Sequence, residues 1–486
     1  MAVVKLALSS LSLPRRRNRR PEIAIALVVI LLTAFAGLAI GGGHTELVWL
    51  ILGAAGGVIG FYVIFKRPAL GAALVLGLAP LEGAIAFQGQ SAVKLATIFC
   101  AGILAIQVIV NHRKIIFDRT AGLAIALIVW ALITILWSPV QMSSLTDWIS
   151  FALQSFLYFM LINFVKSKED MNLALWGHVL GGLVLSVSVT DFMVTRDFLR
   201  NEDILGLGLN LASRLIGINL LFALMLYQLE SHRVARAFIL MIARMVLLIS
   251  ILGAGIGVVV ALSRGTWLGV AVSLSILSVV FFLKSNPRIS IGQLVMWSLG
   301  GFVLFYILNT YVLDQHGIWK LTERFQSGVE LTDSGGGRFE IWQVGWKMFQ
   351  DAPIWGHGFG SFGYEFTQYL DRSGMASSFL AGEVKHAHNT YVLIGSELGL
   401  VGIAIFAAIL VNSLAKILRL LSDKQANMSA FAWGLALFAF LMIATNVDIA
   451  VLRKYFWYNL GLITLLARYW GHSSRVKIKI LPKDNE

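Results

Sequence analysis

Apolar runs of about 18 residues or more follow one another along almost the whole chain, and a run of that length is what a helix needs to cross the hydrocarbon of a bilayer. No single water-soluble core could bury so many. Composition agrees: 58% of the 486 residues are hydrophobic and 13% are charged, about half the charged fraction of a soluble domain. The runs fall at 23–40, 47–65, 69–87, 92–110, 120–137, 148–165, 172–194, 209–229, 237–262, 267–284, 291–313, 389–415, 428–447 and 454–470. The expected fold is an all-α polytopic membrane protein of about 12–14 transmembrane helices. Pro80 and the glycines 253, 255 and 257 inside the runs are compatible with this, because neighbouring helices satisfy backbone groups that such residues free.

The net charge of +13 reads as topology and not as affinity for nucleic acid. A basic cluster, Arg15-Arg16-Arg17-Asn18-Arg19-Arg20, precedes the first run. It resembles the charged region of a signal peptide, but the run is long and another follows, so a retained span is expected. With the N-terminus inside, the inner connections are Lys66-Arg67, 111–114, 166–168, 231–236, 284–288, 416–424 and the tail from Arg468, all basic. The connections 41–45, 87–91 and 138–147 hold no Lys or Arg. This alternation places both termini in the cytoplasm. The expected organisation is a basic cytoplasmic N-terminus (1–22), a transmembrane bundle (23–313) of about 11 spans, an outer loop (314–388) carrying short amphipathic helices, three further helices (389–470) and a cytoplasmic tail (471–486). Cys100 is alone inside an apolar run, so no disulfide within the chain can form.

The loop is the one long polar stretch, and the basic residues that break the alternation lie on or near its side: Arg196, Arg200, Arg214, Arg264 and Arg338. Arg264 stands in Ser263-Arg264-Gly265, where small neighbours leave room for a ligand; a lone Arg at a helix end is equally an interfacial anchor. Arg338 follows Gly335-Gly336-Gly337 and opens an amphipathic pattern with Trp342, Trp346 and Phe349, suited to a helix lying in the membrane interface. A guanidinium presents a planar fork of donors that matches diphosphate and stays charged at any working pH. His388, at the junction of the loop and the next run, could take a proton from a hydroxyl, or be a surface residue with no role. His386 lies two positions earlier, but nothing resembles a metal motif, and the loop carboxylates form no DxD pair. Arg244 falls inside a span and either serves a function there or snorkels to the inner edge. Glu397 lies about two and a half turns beyond His388; it could orient a partner in a site or mark a break at Gly399.

His388-Asn389, nine residues, then Gly399-Leu400-Val401-Gly402 resembles the signature of the O-antigen ligase family. Gly337-Arg338, Trp342 and Pro353-Ile354-Trp355-Gly356-His357-Gly358 are similar to the family's preceding R…W…PxxGxG pattern, and Ser263-Arg264-Gly265 to an earlier helix end. The resemblance spans about 200–420. It implies an inverting glycosyltransferase on the outer face of the bacterial cytoplasmic membrane. The donor would be a glycan on undecaprenyl diphosphate, the acceptor a sugar hydroxyl on a lipid or glycan, and neither nucleotide nor metal cofactor would be needed. Arg264 and Arg338, with Arg214 as a weaker third, would bind the diphosphate, and His388 would act as base. Asn389, Gly399 and Gly402 are the remaining motif positions. Trp267, close after Arg264, would crowd the site or stack on the sugar. A surface-polysaccharide polymerase with the same donor, and a bicarbonate-type solute transporter, are the alternatives. The transporter would favour charges at the midplane and inverted repeats, and neither stands out.

Overall fold

The computed structural model describes residues 45–87, 90–195, 203–229, 237–283, 338–372, 386–421 and 428–470. The basic N-terminus (1–22), the runs 23–40 and 291–313, Arg196, Arg200, most of the 314–388 loop and the tail 471–486 lie outside them. The helices are α1 (Thr45–Lys66), α2 (Ala69–Leu78), α3 (Ala92–Asn111), α4 (Arg119–Thr134), α5 (Gln141–Phe164), α6 (Lys168–Thr195), α7 (Leu209–Leu229), α8 (Ala237–Val260), α9 (Arg264–Leu283), α10 (Arg338–Asp351), α11 (Phe362–Arg372), α12 (Thr390–Arg419), α13 (Met428–Val447) and α14 (Lys454–Trp470). Among the described residues, nine helices are long and apolar enough to span a membrane. The protein is an all-α polytopic membrane protein.

The expected span at 69–87 is shorter than its apolar run. α2 passes into a 3-10 turn, Ala79–Leu81, where Pro80 stands at the start. The chain then forms a two-residue hairpin, Ala86–Phe87 against Gln90–Ser91. Ser91 caps α3 by accepting from the Lys94 N–H at 3.3 Å. Pro80 and the glycine at 83 halt the helix: a Cβ at Gly83 would lie 2.0 Å from the Leu205 carbonyl oxygen.

The centre of the bundle is α14. Every residue from Tyr455 to Leu466 is buried, so the helix is enclosed by protein on all sides, as its apolar circumference allows. Phe456 stacks on Phe406 of α12 (5.7 Å between centroids) and Trp457 meets Phe151 of α5 (6.1 Å). At one end of the bundle Lys416 of α12 joins four elements. Its Nζ lies within hydrogen-bond distance of Asp118 (2.5 Å), Thr120 (2.7 Å), Thr464 (2.9 Å) and Tyr158 (3.1 Å). Asp118 meanwhile caps α4 through the Ala121 N–H. Burial works to raise the Asp118 pKa, but the Lys416 charge and the Tyr158 hydroxyl hold it below the usual carboxylate range. Arg468 and Tyr469 close the same end by donating to the carbonyls of Ile162 and Val165.

At the other end α12 is broken. Gly399 leaves the helix at φ 65°, ψ −162°, and the segment 353–362 is folded into the gap. A helix break in a membrane protein must have its freed backbone groups satisfied by protein, and here each has a partner. The Ser396 and Glu397 carbonyls accept from the N–H groups of His357 and Gly358 (both 2.9 Å), the Leu398 carbonyl from the Trp130 indole (3.0 Å), and the Leu400 N–H donates to Pro353 (2.8 Å). Glycine is required at the contact: a Cβ on Gly399 would lie 2.3 Å from the Ile354 oxygen, and one on Gly358, at φ 98°, 2.7 Å from Ser138 Cα.

Candidate functional site

Glu397 completes this junction. Its two carboxylate oxygens accept from the Phe362 and Gly360 N–H groups, both at 3.0 Å. A buried carboxylate thus serves the start of α11 and the turn before it, where a helix N-terminus favours negative charge. Of the two readings open in the sequence, Glu397 sits just before the break and orients the loop. α10 packs on the result through Ile341, Val344, Gly345 and Met348, leaving Phe339 and Trp346 exposed on its other face. Trp342 donates its indole N–H to the Ala387 carbonyl at 3.0 Å, which fixes the residue next to His388.

His388 is half-buried and adopts a left-handed backbone (φ 47°). For a non-glycine residue this conformation is uncommon and costs on the order of 1 kcal/mol. The neighbours hold it there. Asn389 caps α12, its Oδ1 accepting from Tyr391 (2.8 Å) and Val392 (3.1 Å), while its Nδ2 donates to the Asn446 carbonyl (3.2 Å). Thr390 donates to the Asp448 carbonyl and accepts from the Ala450 N–H, both at 2.8 Å. The motif therefore pins the start of α12 to the turn after α13.

That turn carries Asp448, which the sequence reading passed over. Its Oδ2 accepts from Arg214 of α7 at 3.0 Å and from the Tyr455 hydroxyl of α14 at 2.9 Å. The Arg214 and Asp448 side chains are 5% and 6% exposed, so each charge depends on the other. Arg214 also donates to the Val447 and Asn210 carbonyls. Burial works to raise the Asp448 pKa, yet Arg214, Arg453 and the Tyr455 hydroxyl keep it below the usual range. The available signal was a lone acid between two apolar runs, a position where only a partnered charge is tolerated.

Burial, then the positive charge of Arg338, lowers the His388 pKa to about 4; His386 and Arg214 act in the same direction and Asp448 against it. His388, Arg338 and Arg214 therefore share one electrostatic neighbourhood. Arg264 is the first residue of α9, and a Cβ on the adjacent Gly265 would touch Val447 at 2.8 Å, beside Asp448. Ser213 and Thr266 join α7 to α9 at the same level, 2.8 Å apart. Trp267 turns its N–H back to the Val258 carbonyl at 2.7 Å. Gly399 forms the break, and a Cβ on Gly402 would meet Leu398 Cβ at 2.3 Å. Arg244, half-buried in the second turn of α8, is not part of this group.

Fold and site together define a polytopic membrane protein with a histidine and several guanidinium groups gathered at one end of its bundle, around a broken helix. Residues 245–407 match the family model described as O-Antigen ligase. The match covers about a third of the chain and supports a glycosyltransferase function of the O-antigen ligase/polymerase type. The match includes Arg264, Arg338, His388, Asn389, Gly399 and Gly402; Arg214 and Asp448 lie outside it. No curated protein matches the chain.

Proposed function

We propose that this protein moves a glycan from undecaprenyl diphosphate to an acceptor sugar hydroxyl, with inversion at the anomeric carbon. The observation that carries the reading is the electrostatic neighbourhood that His388 shares with Arg338 and Arg214, of which His388 and Arg338 fall inside the segment matched by the family model. His388, neutral at working pH, takes the proton of the acceptor hydroxyl. The oxygen attacks the anomeric carbon, the bond to the diphosphate breaks, and the electron pair leaves with the diphosphate. Arg338, Arg214 and Arg264 bind that leaving group. Fixed cations aimed at developing negative charge in a site of low dielectric supply the main stabilisation, and Asp448 positions Arg214. Neither cofactor nor metal is called on. The basic connections support a reading in which this end of the bundle lies on the outer face of the cytoplasmic membrane, with both termini inside.

The test uses purified protein in detergent, with and without chelator, and a lipid-diphosphate-linked glycan. Release of free undecaprenyl diphosphate with glycan moved onto an added lipid A-core acceptor is expected of a ligase. Release with a ladder of lengthening chains identifies a polymerase. No release with any acceptor, together with accumulation of bicarbonate or another solute in vesicles, refutes the transferase reading.

A further inference from the structure

Beside Asp448, at the same end of the bundle, is a recess that the reaction above leaves unused. It is a small recess whose roughly 370 Å³ of non-atom space includes the open solvent at its mouth. Ala79, Leu211, Leu215 and Tyr455 form its apolar lining, and Glu82, Gln154, Arg453 and Lys454 its polar one. Tyr455 links it to the candidate centre, since the ring lines the recess while the hydroxyl donates to Asp448.

Two polar groups in the wall are unspent. The Gln154 Oε1 is buried with no hydrogen-bond partner in the protein, and such an acceptor calls for a donor. Arg453 reaches Asp448 only at 4.0 Å, because Arg214 and Tyr455 already occupy that carboxylate oxygen at 3.0 and 2.9 Å. Its Nε makes no hydrogen bond, and its side chain remains 37% exposed. Lys454 is held in place by an ion pair with Glu82, which the Ser91 hydroxyl also approaches at 3.4 Å. Lys94 and Arg453 both lie within electrostatic range of Lys454. The wall thus carries Arg453 and Lys454 against Glu82, with Asp448 behind Arg453 at 4.0 Å. An apolar floor with an aromatic ring, a buried acceptor for a hydroxyl and a guanidinium for an oxyanion are together the complement of a sugar that carries an acidic group.

We infer that this recess binds one sugar residue bearing an oxyanion, carboxylate or phosphate, with Arg453 holding the oxyanion and Gln154 accepting from a ring hydroxyl. That this sugar belongs to the transferred or accepting glycan rests on the proposed function; the binding itself does not.

The experiment is therefore a binding measurement that needs no turnover. The full chain, in nanodiscs of phosphatidylcholine, is titrated calorimetrically with methyl β-glucuronide, glucose 6-phosphate, methyl β-glucoside and inorganic phosphate. One or both acidic sugars should bind about tenfold or more tighter than the neutral glucoside and than phosphate alone; which acid wins separates a uronic acid from a phosphosugar. Arg453→Gln should remove the preference for the acid, and Arg453→Lys should keep part of it. Gln154→Ala should weaken acidic and neutral sugars alike. Equal binding of glucoside and glucuronide by the wild-type protein, or a preference that survives Arg453→Gln, overturns the proposal. Phosphate binding as tightly as its sugar ester also overturns it. Failure of glycan transfer with these affinities intact would refute the proposed function and leave the site standing.

Discussion

A histidine with a pKa of about 4 is unprotonated across the physiological range but is a weak base. Burial depresses it most, and two of the cations that add to this, Arg338 and Arg214, are among those assigned to the diphosphate, which makes the two assignments testable together. A bound diphosphate cancels the charge of Arg338 and Arg214, so the His388 pKa should rise in the donor complex. In the free enzyme the basic form is lost only as pH falls through about 4. The acid limb of kcat/KM should therefore lie near that pH, and the acid limb of kcat at saturating donor should lie higher. Coincident limbs would remove the diphosphate from the neighbourhood of His388. His388→Ala should lower kcat by about 10²–10⁴-fold while donor binding persists. Arg338→Lys keeps the charge and loses the planar fork, so transfer should fall by about 10–100-fold; near-normal turnover would show that charge alone suffices.

The element on which the site depends is the break in α12 with the 353–362 segment folded into it. Glu397 accepts two backbone N–H groups there. Glu397→Gln keeps the shape, but its amide presents a donor to one of those N–H groups. A buried N–H left without an acceptor costs about 1–3 kcal/mol, so Tm should drop and transfer should fall with it. A variant as stable and active as the wild type would show that the loop is held by its backbone contacts alone. The motif glycines were legible in the sequence, because positive φ and close backbone approach have few other solutions. The partners across the break were not. Trp130, Ser138 and Glu397 meet the loop only in three dimensions, and nothing in the local pattern around each residue records the meeting. Asp448 differs: its place between two apolar runs signalled a partnered charge, but the partners themselves, Arg214, Thr390 and Tyr455 on three other helices, were not legible.

At the scale of the molecule, most of the described spans were legible to within a few residues, because an apolar run longer than a bilayer core has one common outcome; the run at 69–87 was read too long and α5 begins seven residues before its run. Their arrangement was not legible. The α14 sequence is less apolar than its neighbours, and only packing shows that it is enclosed by protein while α3 and α8 keep many apolar side chains exposed. Orientation is the global property on which the proposed chemistry depends, since a flipped lipid-linked donor is reachable only from outside. The two ends of the bundle differ in a way that bears on it. One gathers Arg113, Lys114, Lys416 and Arg468; the other carries His388 and the connection that begins α5. By the positive-inside rule, the first end is the one proposed to face the cytoplasm. Cys100 is buried and unpaired, so replacing it with Ala gives a background for single cysteines at exposed Gln141 and exposed Lys114. In intact cells a membrane-impermeant thiol reagent should label Gln141→Cys and spare Lys114→Cys, with both labelled after permeabilisation. The reverse pattern would put His388 on the cytoplasmic side, out of reach of a donor in the outer leaflet, and would refute the proposed reaction whatever its residues could do chemically.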